Sequence, residues 1–214
     1  MSLDLVPAGV RNRFEVRETH HAAAILHTDF PCEWNDLMAM LAAFRLRRSQ
    51  IMTPGGRKSP IAISIDEFFY GREWSEHNFQ IEVRADGVTT LAPTHHVDYF
   101  RNRVAIETEW NNKDPFFDRD LTTFRLLFDL NVLSVGIIIT RASELQQIFD
   151  RLGRGASFGQ STTHMGKLTP KLSNRASGGC PVLAFGITMQ AYEDDSLHET
   201  EQGSDTAEQA APEG

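Results

Sequence analysis

Only two cysteines occur in the 214 residues, Cys32 and Cys180, far apart and in no metal-ligating spacing. Such a pair supports neither a disulfide framework nor a zinc site, so both read as reduced thiols of a cytoplasmic protein. Long apolar runs are missing as well. The longest, Val132 to Ile139, is interrupted by Ser134 and Gly136, and it falls well short of the roughly 18 residues that span a bilayer. No basic segment followed by an apolar core opens the chain, so neither a secretory signal nor a membrane partner is expected. Gly153, Gly155 and Gly159 are not followed by Gly-Lys-Ser/Thr, which removes a phosphate-binding nucleotide loop. What is present is an ordinary globular balance, 41% hydrophobic and 23% charged, enough for one domain with a sizeable core.

The formal charge of −8 argues at first against a nucleic-acid partner, but its distribution reverses that impression. Eight of the 29 acidic residues fall from Glu193 onward, where there is no Lys or Arg. The rest of the chain is therefore formally neutral. The segment 193–214 is polar, acidic and nearly free of large apolar residues, and reads as a disordered tail beyond a domain over 1–192. Two windows, by contrast, hold cations and no acid: Arg45, Arg47, Arg48, Arg57 and Lys58 within Leu41 to Pro60, and Arg151, Arg154, Lys167, Lys171 and Arg175 within Arg151 to Cys180. Cations among small polar residues suit contacts to phosphates. A plain solvated face is the alternative for each window taken alone.

Apolar spacing predicts a helix from Pro31 to about Ser49, with Trp34, Leu37, Met38, Leu41 and Phe44 on one side. A second is expected over Ile61 to Tyr70. Phe79 to Arg84 alternates like a strand and runs into the turn signal Asp86-Gly87. Val104 to Trp110 reads as a strand, and a helix from Asp118 or Asp120 to Leu130 follows, capped by that acid and ended at Asn131. Val132 to Thr140 is a strand buried on both faces. A helix starting at Ser143 closes at Gly153, and Pro181 to Thr188 is a last buried strand. Gly153 to Cys180 reads as a long irregular loop, a feature usually tied to function. This order implies an α/β domain with a mixed sheet and helices on its faces.

Glu107 and Glu109 are two apart on a strand, so both side chains leave one face. If Asn102-Arg103 form a two-residue hairpin turn, Arg101 pairs with Val104 and the same register sets Asp98 opposite Glu107. Carboxylates so close repel unless one is protonated or a cation lies between them. A hard divalent cation such as Mg²⁺, completed by phosphate and water, answers that need. A solvent-exposed acidic strand face is the bland alternative. His95-His96 precedes Asp98, but adjacent strand residues point to opposite faces, so at most one imidazole can face the acids.

The surrounding residues sharpen the reading. Val97-Asp98-Tyr99, then Arg103 to Leu121 with its Ile106-Glu107-Thr108-Glu109-Trp110-Asn111-Asn112-Lys113-Asp114-Pro115-Phe116-Phe117, resembles the active-site segment of BglII-type (BglII/BstYI-like) restriction endonucleases. So do Phe124-Arg125, Val135 to Arg141, Ser161 to Leu168 and Gly178 to Leu183. The resemblance is strong over about Asp98 to Thr188, loose in the N-terminal third, and absent from the acidic tail. It implies the PD…(D/E)xK nuclease fold: a mixed β-sheet flanked by helices, a homodimer, and Mg²⁺-dependent cutting of palindromic double-stranded DNA that leaves 5′-phosphate ends. A partner DNA methyltransferase is then expected in the same host. Asp98 and Glu107 match the metal-binding acids. Glu109 stands where many members of the fold carry Lys and close relatives carry Gln or Glu; it can orient or deprotonate water, or hold metal. Val97 replaces the Pro of the wider motif. Base reading is expected from Asn111, Asn112 and Lys113. Ser161, Thr162, Thr163, His164 and Lys167 are expected to meet bases and phosphates, and Lys171 and Arg175 the backbone. A sequence-tolerant nuclease of the same fold, or a noncatalytic DNA-binding protein, are the competing readings.

Overall fold

β-Branched and aromatic runs dominate the middle of the chain, and they assemble the strands that carry the acids. The computed structural model describes residues 2–54, 58–92, 96–113 and 115–196. Among these, a six-stranded mixed sheet is ordered β1-β9-β8-β7-β6-β3. Its members are β1 (Phe14–Glu18), β3 (Ser75–Asn78), β6 (His96–Arg101), β7 (Val104–Thr108), β8 (Val135–Arg141) and β9 (Val182–Ile187). β7, β8 and β9 run parallel; β6 is antiparallel to β7 and β3 to β6 at one side, and β1 is antiparallel to β9 at the other. Shorter pairs are β2 (Leu46–Arg47) with β10 (Tyr192–Glu193), and β4 (Ile81–Ala85) with β5 (Val88–Ala92). The last is the hairpin foreseen from Asp86-Gly87.

Each sheet face buries its own core. Tyr99, Ile106, Ile137, Ile139, Leu183 and Phe185 point to the N-terminal helices α1 (Ala8–Arg11), α2 (Ala22–Asp29), α3 (Pro31–Ala43), α4 (Arg48–Met52) and α5 (Pro60–Tyr70), and to α7 (Gln146–Arg151). Ala105, Ile138, Val182 and Ala184 meet α6 (Pro115–Asp129) and α8 (Met165–Ser173) on the other side. On that second face Gly136 leaves room for the Phe124 ring: a Cβ there would stand 2.3 Å from its Cδ2. β8, buried at every position, is covered from both sides as its unbroken apolar pattern requires.

Several boundaries differ from expectation. The helix from Pro31 stops at Ala43, because Phe44 turns extended (ψ 134°) and its ring packs 6.2 Å from that of Phe14. Arg45 Nη1 then donates to the carbonyls of Ala42, at 3.1 Å, and of Phe44, at 2.8 Å, closing the helix end. α6 begins at Pro115, so neither Asp118 nor Asp120 caps it. It ends as foreseen, with Asn131 left-handed at φ 56°. The stretch from Gly153 to Cys180 is not wholly irregular. It contains α8, whose amphipathic pattern was obscured by Pro170 inside it. The tail boundary expected at Glu193 falls within a hydrogen-bonded segment. Tyr192–Glu193 pair with Leu46–Arg47, and Asp195 Oδ1 accepts from the Ser49 amide at 2.9 Å. Arg57, His95, Asp114 and the remainder of the acidic tail, 197–214, lie outside the described residues.

Candidate active site

The site is built on the β6–β7 hairpin. Asn102 (φ 44°) and Arg103 (φ 67°) form its two-residue turn, and their left-handed backbones match the twist of the flanking strands. Arg101↔Val104, Phe100↔Ala105 and Tyr99↔Ile106 then pair in register. One step further along, the Asp98 amide donates to Glu107 Oε2 at 3.3 Å, and the Thr108 amide donates to Asp98 Oδ2 at 2.9 Å. The two acids inferred to oppose one another are neighbours. Beyond the strand, the Glu109 amide donates to the Ile139 carbonyl at 2.8 Å, so Glu109 stays beside β8 and on the α6 face with Glu107.

Burial here is severe for acidic groups: Glu107 is 1% and Glu109 2% exposed. Burial and then the Asp120 charge push the Glu109 carboxyl up to about 10. Asn112 Nδ2 donates to its Oε2 at 2.7 Å and resists that rise. Asp98 is raised too, first by burial and also by Asp120 and Asp66, while the Thr108 amide opposes the shift. Arg119 Nη2 reaches Glu109 Oε1 at 3.5 Å and Asp120 Oδ1 at 3.1 Å, joining the two acids. Among the described residues no group of three or more His, Cys, Asp or Glu is arranged to hold a metal ion by itself. Asp98 and Glu107 nevertheless offer adjacent hard oxygen donors among further acids. That donor set fits a divalent cation whose other positions come from water and phosphate.

Sequence reasoning missed Asp120, which it offered with Asp118 as one of two alternative helix caps. Asp120 is fully buried beside Phe117, Leu121 and Phe124. The readable signal was an acid inside the apolar stripe of an amphipathic helix. Asp66 on α5 was missed too; it accepts from Tyr99 Oη at 2.6 Å and pairs with Lys58. His96 is exposed and engages Glu76 at 2.9 Å.

The segment after β7 and the loop before α8 are joined to each other. The Thr163 amide donates to the Asn112 carbonyl at 2.8 Å, Thr163 Oγ1 accepts from the Asn112 amide at 3.2 Å, and Lys113 bridges to Thr162. Asn111, left-handed at φ 60°, donates from Nδ2 to the Ser157 carbonyl at 3.0 Å. From below, Arg141, 1% exposed, donates through Nη2 to the Phe158 and Gly159 carbonyls and to Thr162 Oγ1. Ser161 is exposed at the loop's tip. His164 is the N-cap residue of α8, its Nδ1 2.9 Å from Ser143 Oγ, with Lys167 in the first turn. Lys171 lies in the last turn and is held bidentately by Asp118 at 2.8 Å, whereas Arg175 stands exposed past the helix end. Asn111 to Lys113 and Ser161 to Thr163 are thus brought together beside Glu109; Arg175 is not part of that group.

The model of the restriction endonuclease BglII/BglIII family matches residues 14–187 of the chain. The chain belongs to that family. It is accordingly a type II restriction endonuclease, a hydrolase that cuts DNA site-specifically. The matched span takes in the sheet from β1 to β9, together with all three acids. Restriction endonucleases of this kind generally use a divalent metal. No curated protein matches the chain. No helix among the described residues is long and apolar enough to cross a membrane.

Proposed function

We propose that this family member is a Mg²⁺-dependent homodimer that cuts palindromic double-stranded DNA and leaves 5′-phosphate ends. The observation carrying this reading is the adjacency of Asp98 and Glu107 at the end of the β6–β7 hairpin, with Glu109 on the same face. Asp98 and Glu107 would hold the cation. A bound Mg²⁺ stabilises charge on the phosphoryl oxygens and lowers the pKa of its water. Glu109, steadied by Arg119, orients the attacking water. Asn111, Asn112 and Lys113, with the loop from Ser161 to Lys167, read base edges, while Lys171 and Arg175 steady the backbone. Asn112 and Lys171 must then leave their present partners, Glu109 and Asp118, when DNA arrives. Two-fold symmetry supplies one site to each strand of a palindrome of about six base pairs, with GATC at its centre by family resemblance. A cognate methyltransferase would protect the host.

Plasmid digestion with the purified protein, followed by sequencing of the ends, tests this. Discrete fragments with 5′-phosphates in Mg²⁺, and none in EDTA, are expected. Undiminished cutting in EDTA would overturn the metal assignment, and cut sites without a palindrome would overturn the symmetric one.

A further inference from the structure

A cleft of about 540 Å³ opens on the other face of β7 from the carboxylates, between the end of that strand, the start of α5 and the loop around Ser157. Not one of its described lining residues is Asp or Glu, although four acids crowd the opposite face of the same strand. Lys58, which is paired with Asp66, and Arg154 stand on its walls, and the N-terminus of α5 (Ser59, Pro60, Ile61) opens into it. Pro60 has no amide hydrogen and the Ala62 amide is taken by Ser59 Oγ at 3.1 Å, so this helix start offers the Ile61 amide and positive partial charge.

An independent feature also calls for a ligand. Trp110 is 7% exposed, lines the cleft, and its Nε1–H has no hydrogen-bond acceptor among the described residues. Arg154 Nε–H and Asn111 Oδ1, on the same walls, are buried and unpartnered as well. Buried polar groups are almost always satisfied, so three left open around one cleft mark a place completed by something else. Two of the three are donors, one cationic, and no described lining residue is an acid. The missing group is therefore an oxyanion, and Asn111 Oδ1 suits a water in its shell.

We propose that this cleft seats a non-scissile phosphate of the DNA backbone, held by Arg154, Lys58, Trp110 Nε1–H and the start of α5. The inference rests on the chain's acting on DNA and adds a contact on the far side of the catalytic strand. Asn112 lines the cleft while its side chain donates to Glu109, so the two faces meet at that residue.

The test is binding of the full chain to DNA duplexes in EDTA, across a salt series, for wild type, Arg154→Gln and Trp110→Phe. Phe keeps an aromatic ring against Phe149 and Phe158 and removes the N–H together with the rest of the pyrrole ring. On any duplex, Arg154→Gln should flatten the slope of log K against log salt by about 1, whereas Trp110→Phe should weaken binding at unchanged slope. On a duplex spanning the mapped cut site, a neutral methylphosphonate at one uncut position should weaken wild type roughly tenfold and Arg154→Gln hardly at all. An Arg154→Gln protein with wild-type slope and wild-type methylphosphonate profile overturns the proposal. So does saturable, Arg154-dependent binding of inorganic phosphate to the DNA-free protein with that profile unchanged, which would assign the cleft to a free anion. Arg154-dependent DNA binding without cleavage in any divalent metal would instead retire the proposed chemistry and leave this site standing.

Discussion

Asp98 and Glu107 are each other's nearest problem: two carboxylates set side by side by a hairpin register that the turn at Asn102-Arg103 fixes. Removing either as Asp98→Ala or Glu107→Ala should abolish cleavage while specific binding survives, which nicking assays and gel shifts on one duplex will separate. A near wild-type nicking rate in either variant would sink the metal-ligand role. Glu109→Gln should keep more activity than Glu109→Ala, because an amide oxygen still orients water. The same residue gives a pH signature in the metal-free protein. Folding favours its neutral form, raised from 4.5 to about 10, so its contribution to stability is full below about 4.5 and is lost as pH rises through about 10. Asp98 acts in the same sense. At pH 8 in EDTA, Glu109→Gln should raise the melting midpoint by about 2–4 °C, the shift for roughly 1 kcal/mol in a domain of this size. It should also flatten the fall of that midpoint between pH 5 and 9. A variant whose midpoint follows wild type across that range would show that Glu109 titrates as an ordinary carboxyl.

At the scale of elements, one buried side chain at the end of β8 ties down the loop from Ser157 to Thr163, beside its links to Asn111 and Asn112. Arg141 spends its guanidinium on two loop carbonyls and the Thr162 hydroxyl, and burial lowers its pKa to about 10. Arg141→Leu removes these charge-assisted bonds. It should cost roughly 1.5–3 kcal/mol in urea unfolding and should open the loop to limited proteolysis. An unchanged digestion pattern would mean that Thr163 and Asn111 suffice to hold the loop. α8 shows why this region was hard to read. Its Gly, Ser and Thr neighbours and internal Pro170 look like loop, yet Met165, Leu168 and Leu172 bury against the sheet and override weak propensity. α3 shows the opposite error. The apolar spacing continues through Phe44, but that ring does better against Phe14 on β1 than as another helical turn.

For the whole molecule, sedimentation of the free and DNA-bound protein should report a dimer in both states; a monomer on DNA would contradict the symmetric reading. Deleting 197–214 should leave the melting midpoint unchanged and should raise nonspecific DNA affinity at low salt, an effect that salt screens. Truncation from Glu193 should do more harm, since Asp194 and Asp195 engage Arg48 and Ser49. Unfolding on removal of 197–214 alone would make that segment part of the domain. The two buried strands, the Asn102-Arg103 turn and, through its register, the meeting of Asp98 with Glu107 were legible in the chain alone, because strand alternation and hairpin geometry are local rules. That Asp120 and Arg119 join Glu109, that Thr162 and Thr163 are engaged within the fold, and that β1 closes the sheet beside β9 emerged with the packed fold. Those outcomes depend on which helix face meets which sheet face across long separations in the chain, and local periodicity carries no record of that choice.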